Sequence, residues 1–190
     1  MGRRMLYLGV CACVLVSTVA GCTKPTSLSD ALQERADEAI AEAAPGAYLT
    51  SIGTSGLALS DDPHEWTYMY YDPDTKHLWR VFVHKGEQPE LTDMGAGNAQ
   101  FSERIPADEV HYSASEAIEL ARAEAERSGV TVPQNVMASG SYASVEGGEE
   151  FGLKQGVWSV TFATGTSLDD AVTYEVDMRD GATEGPITED

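Results

Sequence analysis

The chain has 190 residues, with 12 Lys and Arg against 31 Asp and Glu and a formal net charge of −19. Since 42% of its residues are hydrophobic, there is enough apolar material for a packed core, and disorder throughout is excluded. Cations this scarce also exclude a surface that tracks phosphates, and with it nucleic acid as a partner.

The chain opens Met1-Gly2-Arg3-Arg4-Met5, runs apolar from Leu6 to Val16, and carries no acid before Asp30. A basic start, an apolar stretch and then small residues describe an export signal. The apolar run falls short of the roughly 20 residues a membrane-crossing helix needs. Val19-Ala20-Gly21-Cys22 resembles the lipobox of bacterial lipoproteins. That resemblance implies a signal peptide over 1–21, lipid attachment at Cys22, and a tether over 22–27 that holds the folded part close to a bilayer. Cleavage also removes Cys11 and Cys13, so the one cysteine left is acylated. No disulfide, cysteine nucleophile or cysteine-bound zinc then remains, and the fold rests on its hydrophobic core. Thr23 after the cysteine, by similarity to enterobacterial sorting, implies the outer membrane in a Gram-negative cell. In a Gram-positive cell the anchor places the chain on the outer face of the cytoplasmic membrane. The acidic domain is expected to stand off an anionic bilayer rather than lie on it.

Leu28 to Ala44 has an apolar stripe at helical spacing through Leu32, Ala36 and Ile40, and Pro45-Gly46 stops it. A weak strand follows over Ala47 to Ile52. Glu65 to Tyr71 and Leu78 to His84 are rich in aromatic and β-branched residues and alternate in period two, which predicts strands. The Asp72-Pro73-Asp74-Thr75-Lys76-His77 segment between them has the chemistry of a hairpin turn. Lys85 to Val110 contains three glycines and two prolines and reads as a linker. Ser113 to Ser128 is a second helix: Ser113 and Glu116 make a capping box, and Gly129 ends it. Asn135 to Val145, Val157 to Thr164 and Ala171 to Met178 are read as strands with one apolar and one polar face, and so as an antiparallel sheet covered on one side.

The order helix-then-strands occurs twice, which suggests duplication with Trp66 matching Trp158. Yet Trp66 precedes Asp72 by six positions and Trp158 precedes Asp177 by nineteen, so the residue-level match is poor. The expected fold class is α+β, with two similar units, each one helix packed on about three antiparallel strands. The units span 28–85 and 111–182, with a linker or long loop over 86–110 and an acidic tail over 183–190.

The second block carries Ser113-x-x-Glu116-Ala117-Ile118-x-x-Ala121, Trp158-x-Val160-x-Phe162 and Tyr174-x-Val176-Asp177-x-x-x-Gly181. Over Ser113 to Gly181 it resembles a PepSY domain, a small exported module with a helix on an antiparallel sheet. The first block is similar in outline through Asp72-Pro73-Asp74-Thr75-Lys76, with Lys76 where that family usually has glycine. The resemblance implies binding or restraint of a peptidase or another extracytoplasmic partner. It brings no catalytic set.

No residue pattern adds one. Of His64, His77, His84 and His111, His77 and His84 face opposite sides of one strand; His64 with either of them and Asp61, Asp62 or Asp74 would make only a weak metal site, and the histidines read as solvated hairpin residues. The acid pairs Asp61-Asp62, Glu149-Glu150 and Asp169-Asp170 lack the spacing of a calcium loop. There is no Gly-x-Ser-x-Gly elbow. Gly53-Thr54-Ser55-Gly56 and Gly140-Ser141 read as turns rather than phosphate cradles. The sequence therefore predicts no catalytic residue, cofactor or metal, and no enzyme. The remaining candidate is the aromatic ladder Trp66, Tyr68, Tyr70, Tyr71, Trp79 and Phe82. It is read either as core or as an exposed patch for a peptide or envelope protein. Taken together, these readings describe a lipid-anchored, non-catalytic interaction module in the bacterial cell envelope. The alternative is a small-molecule or sugar binder, or a hydrolase, with a pocket at Trp66, Tyr68 and His84.

Overall fold

The computed structural model describes residues 28–54, 63–96, 103–106, 108–141, 156–164, 168 and 170–187. The signal segment, Cys22 and the tether lie outside the described residues, as do Asp61, Asp62, Glu149, Glu150 and Asp169. The elements are α1 (Leu28–Ala43), β1 (Tyr48–Thr54), β2 (Glu65–Asp72), β3 (His77–His84), β4 (Glu90–Ala96), α2 (Ala114–Arg127), β5 (Asn135–Ser141), β6 (Val157–Ala163), β7 (Val172–Asp177) and β8 (Thr183–Ile187).

Each helix is dictated by its apolar stripe. Leu32, Ala36 and Ile40 of α1 are buried, as are Ala114, Ala117, Ile118, Ala121 and Ala125 of α2. The predicted capping box is present. The Ser113 amide donates to Glu116 Oε2 at 2.9 Å, and the Glu116 amide donates to Ser113 Oγ at 3.4 Å. This satisfies two N–H groups that have no partner within the helix.

All eight strands form one antiparallel sheet in the order β4-β3-β2-β1-β5-β6-β7-β8. The expectation of two units with about three strands each is overturned on both counts. Each helix is followed by four strands, and β1 pairs with β5, so the two halves continue a single sheet. Glu90–Ala96, inside the segment read as a linker, is the edge strand β4. Thr183–Ile187, read as an acidic tail, is the opposite edge strand β8. Neither edge strand has the alternation that betrays a half-buried strand. In β4 only Thr92 and Gly95 are not exposed, and β8 contains Gly185 and Pro186.

Both helices lie on one face of the sheet. Their stripes meet the inward residues of every strand from β1 to β3 and β5 to β7 in one continuous core, which includes Trp66, Tyr68, Val81, Val136, Trp158, Phe162 and Tyr174. A shared core and a shared sheet make the halves one structural unit, which relieves the marginal stability each would have at about 70 residues.

The halves are related by an approximate two-fold axis through the sheet. Trp66 pairs with Thr54 and Val83, while Trp158 pairs with Gly140 and Val176. Extending this register makes Gly53 equivalent to Ser139, and those two residues are themselves a cross-strand pair, so the axis passes between them. The poor spacing match of the aspartates is also explained. Asp72 ends β2, whereas Asp177 ends β7, one strand later in its half. The register counterpart of Asp72 is Thr164, and the two acidic turns are not equivalent.

Gly53, Thr54, Gly140 and Ser141, read as turn residues, lie in β1 and β5. At Gly140 the reason is packing. A Cβ there would sit 2.5 Å from the Trp158 ring and 2.7 Å from the Met178 methyl. Glycine in a strand here marks a close approach from the neighbouring strand.

Candidate functional site

The aromatic ladder does not form one surface. Trp66, Tyr68 and Tyr70 are 0%, 1% and 2% exposed and belong to the core beneath the helices. Trp79 packs partly buried against that core. Tyr71 and Phe82, at the alternate positions, point to the face that neither helix covers, and both are partly buried. There Tyr71 makes an edge-to-face contact with Tyr48 at 5.7 Å between ring centroids. Strand alternation is the cause: six aromatics over two paired strands must divide between two faces.

Two of the histidines are held by carboxylates. His77 Nδ1 lies 2.9 Å from Asp93 Oδ2, and His84 Nδ1 lies 3.1 Å from Glu65 Oε1. His111 Nδ1 is 2.8 Å from the Arg179 carbonyl. Among the described residues no group of three His, Cys, Asp or Glu side chains is placed to hold a metal. The Asp93 carboxyl is held below its ordinary range, first by the Gly95 amide and then by His77.

A concavity of about 900 Å³ runs between α1 and α2, over the central strands. That volume lies near the upper end of the ~300–1,000 Å³ typical of ligand pockets. Ile40 and Ala41 of α1, with Ala44 just after it, form one wall, and Ala114, Ser115 and Glu119 of α2 the other. Ile52, Tyr68 and Trp158 supply the floor, while Ile105 and Val110, between β4 and α2, close one side. The alanines are the local reason for the gap. Short side chains on the facing surfaces leave space unfilled where longer ones would interlock.

The mouth is polar, with the acids Asp37, Glu116 and Glu119 beside Gln33, Arg104 and His111. Asp37 accepts a 2.6 Å hydrogen bond from the Tyr70 hydroxyl, which ties α1 to the cleft floor. Partial desolvation raises the Asp37 carboxyl above its ordinary range; the Tyr70 bond opposes the rise and Glu34 adds to it. The Tyr70 hydroxyl is pushed well above its own ordinary range, first by burial and then by Asp37. Glu116 is committed to the capping box, whereas Glu119 is exposed. At the far end the Trp158 indole donates to the Tyr112 carbonyl at 2.8 Å, which fixes the entry to α2 beside the cleft.

No family model, curated protein or solved structure matches the chain. Among the described residues no helix is long and apolar enough to cross a membrane.

Of the predicted site residues, the cleft gathers Tyr68 and Tyr70. It leaves out Trp66, Tyr71, Trp79 and Phe82, and also His84 of the predicted small-molecule pocket. Sequence reasoning missed Asp37, Ala41, Glu119 and Trp158 as neighbours. The only available signal was the run of alanines on both helices, which reads equally well as tight packing.

Proposed function

We propose that this chain is a lipid-anchored, extracytoplasmic, non-catalytic binding module whose ligand site is the cleft between α1 and α2. The observation that carries the reading is the cleft itself: an apolar floor, an apolar wall on the α1 side, a polar mouth, and about 900 Å³ of room. The Val19-Ala20-Gly21-Cys22 box supports anchoring at Cys22 in the bacterial envelope, and the likeness of Ser113 to Gly181 to PepSY domains supports a partner-binding role, with a peptide or envelope protein as the occupant.

The test is site-specific photocrosslinking in the native envelope. A crosslinker at Ala41, on the cleft wall, should give a discrete adduct that one at Lys85, in the β3–β4 turn, does not. Equal labelling from both positions, or a turnover activity lost on one point substitution, overturns the reading. Anchoring is tested separately: Cys22→Ser should move the chain from the membrane fraction to the soluble one.

A further inference from the structure

Resting on the cleft as a ligand site, we infer that its occupant is a cationic, amphipathic peptide segment, with aliphatic or aromatic side chains next to a lysine or arginine. Two observations meet here. The floor, Ile52, Tyr68 and Trp158, is apolar but already buried, so the apolar surface left for a ligand to cover lies at Ala41, Leu49 and Val110 around it. Above it, Asp37 on α1 and Glu119 on α2 offer carboxylates from opposite walls.

Asp37 is the better placed of the two. Among the described residues it takes a hydrogen bond from Tyr70, an uncharged donor, and is paired with no cation. A basic group bound at the mouth would supply a counter-charge at an accessible carboxylate. An acidic ligand would instead meet Asp37, Glu116 and Glu119, with Arg104 the one arginine of the lining, in a chain of net charge −19. Like charge at a docking site is a strong discriminator against the wrong partner. The space suits a peptide segment of a few side chains rather than a whole folded surface.

The experiment uses the full chain in nanodiscs of zwitterionic lipid and three short synthetic peptides. One alternates Lys with Leu and Phe, one replaces Lys by Glu, and one replaces Leu and Phe by Ser. Binding is read by calorimetry. The Lys–Leu/Phe peptide should bind roughly tenfold more tightly than either other peptide, and Asp37→Asn with Glu119→Gln should remove most of that preference. Ala41→Trp, a substitution at an exposed cleft-wall position, should block binding by filling the cleft.

Equal binding of the Lys and Glu amphipathic peptides, both blocked by Ala41→Trp, overturns the cationic class while leaving the cleft as a binding site. Binding that survives Ala41→Trp overturns the cleft reading as well. Equal binding of the Lys–Ser peptide means general attraction to an acidic surface and overturns the proposal. So does no binding by any peptide.

Discussion

Trp66 and Trp158 hold the same register position in the two halves of the sheet, yet their indole N–H groups are satisfied differently. Trp66 donates to Pro63, three residues upstream, whereas Trp158 donates to Tyr112, forty-six residues upstream. One bond is local; the other ties β6 to the start of α2. Replacing either by Phe leaves a carbonyl without its donor, at a cost of about 1–3 kcal/mol. We predict similar losses of stability for Trp66→Phe and Trp158→Phe in urea denaturation, each as a single transition because both rings sit in one core. Only Trp158→Phe should also weaken ligand binding in the cleft. An equal effect of both variants on binding would contradict the special role of the long-range bond.

Gly140 is expected to tolerate no side chain. Gly140→Ala puts a methyl within 2.5 Å of the Trp158 ring, and overpacking of this kind costs about 1–3 kcal/mol. Trp158→Leu should partly rescue it by vacating the space. A double-mutant cycle on denaturation midpoints checks this: strictly additive losses would show that the ring is not the obstacle.

The acidic turn after β2 predicts a pH dependence of stability. The Asp72 carboxyl is held below its ordinary range, first by the Thr75 hydroxyl at 2.8 Å and then by the Asp74 amide at 3.0 Å. A depressed folded value means the contribution is present above the unfolded value of about 3.9 and is lost as pH falls through the folded one. Melting temperatures measured between neutral and strongly acidic pH should therefore fall more steeply for the wild type than for Asp72→Asn. Parallel curves would refute the assignment.

The Asp37–Tyr70 bond predicts a shift of opposite sign. Asp37 is raised by desolvation, so its ionisation opposes folding, and the Tyr70 hydroxyl moderates that cost. In Tyr70→Phe the Asp37 carboxyl should titrate higher than in the wild type, followed by NMR of the side-chain carbonyl carbon. The variant should lose about 1 kcal/mol, a value at the low end for a bond to a charged group because Asp37 is exposed. An unchanged or lowered Asp37 titration would show that the bond does not reach the carboxyl in solution.

The sequence made most of this architecture legible and missed its unity. Both helices, the β2–β3 hairpin and strands β5 to β7 follow from periodicity, capping and turn chemistry, because these signals are local. β4 and β8 do not, since edge strands pair on one side only and need no buried alternation. In β8, Gly185 lies against the Tyr174 ring, a tertiary contact with no local trace. The β1–β5 pairing that fuses the halves rests on Ser51, Ile52 and Gly53 facing Ser141, Gly140 and Ser139, residues whose composition speaks of turns. The cleft was invisible for a related reason. It exists through what the facing helices leave unfilled, and a sequence names side chains rather than the gaps between them.

The placement of β1 and β5 also sets an order of assembly. A chain made from its N-terminus completes α1 and β1–β4 first, with β1 paired to β2 on one side and its other edge bare. That edge waits for β5, which is made more than a whole half-sheet later. Until then the nascent half carries an adhesive margin at what will become the middle of the molecule. Because the two-fold axis runs between Gly53 and Ser139, the margin is shaped to accept a strand related to β1 by that same rotation. The second half of the chain thus acts as the first half's built-in partner, occupying a seam through which unfinished copies would otherwise join one another.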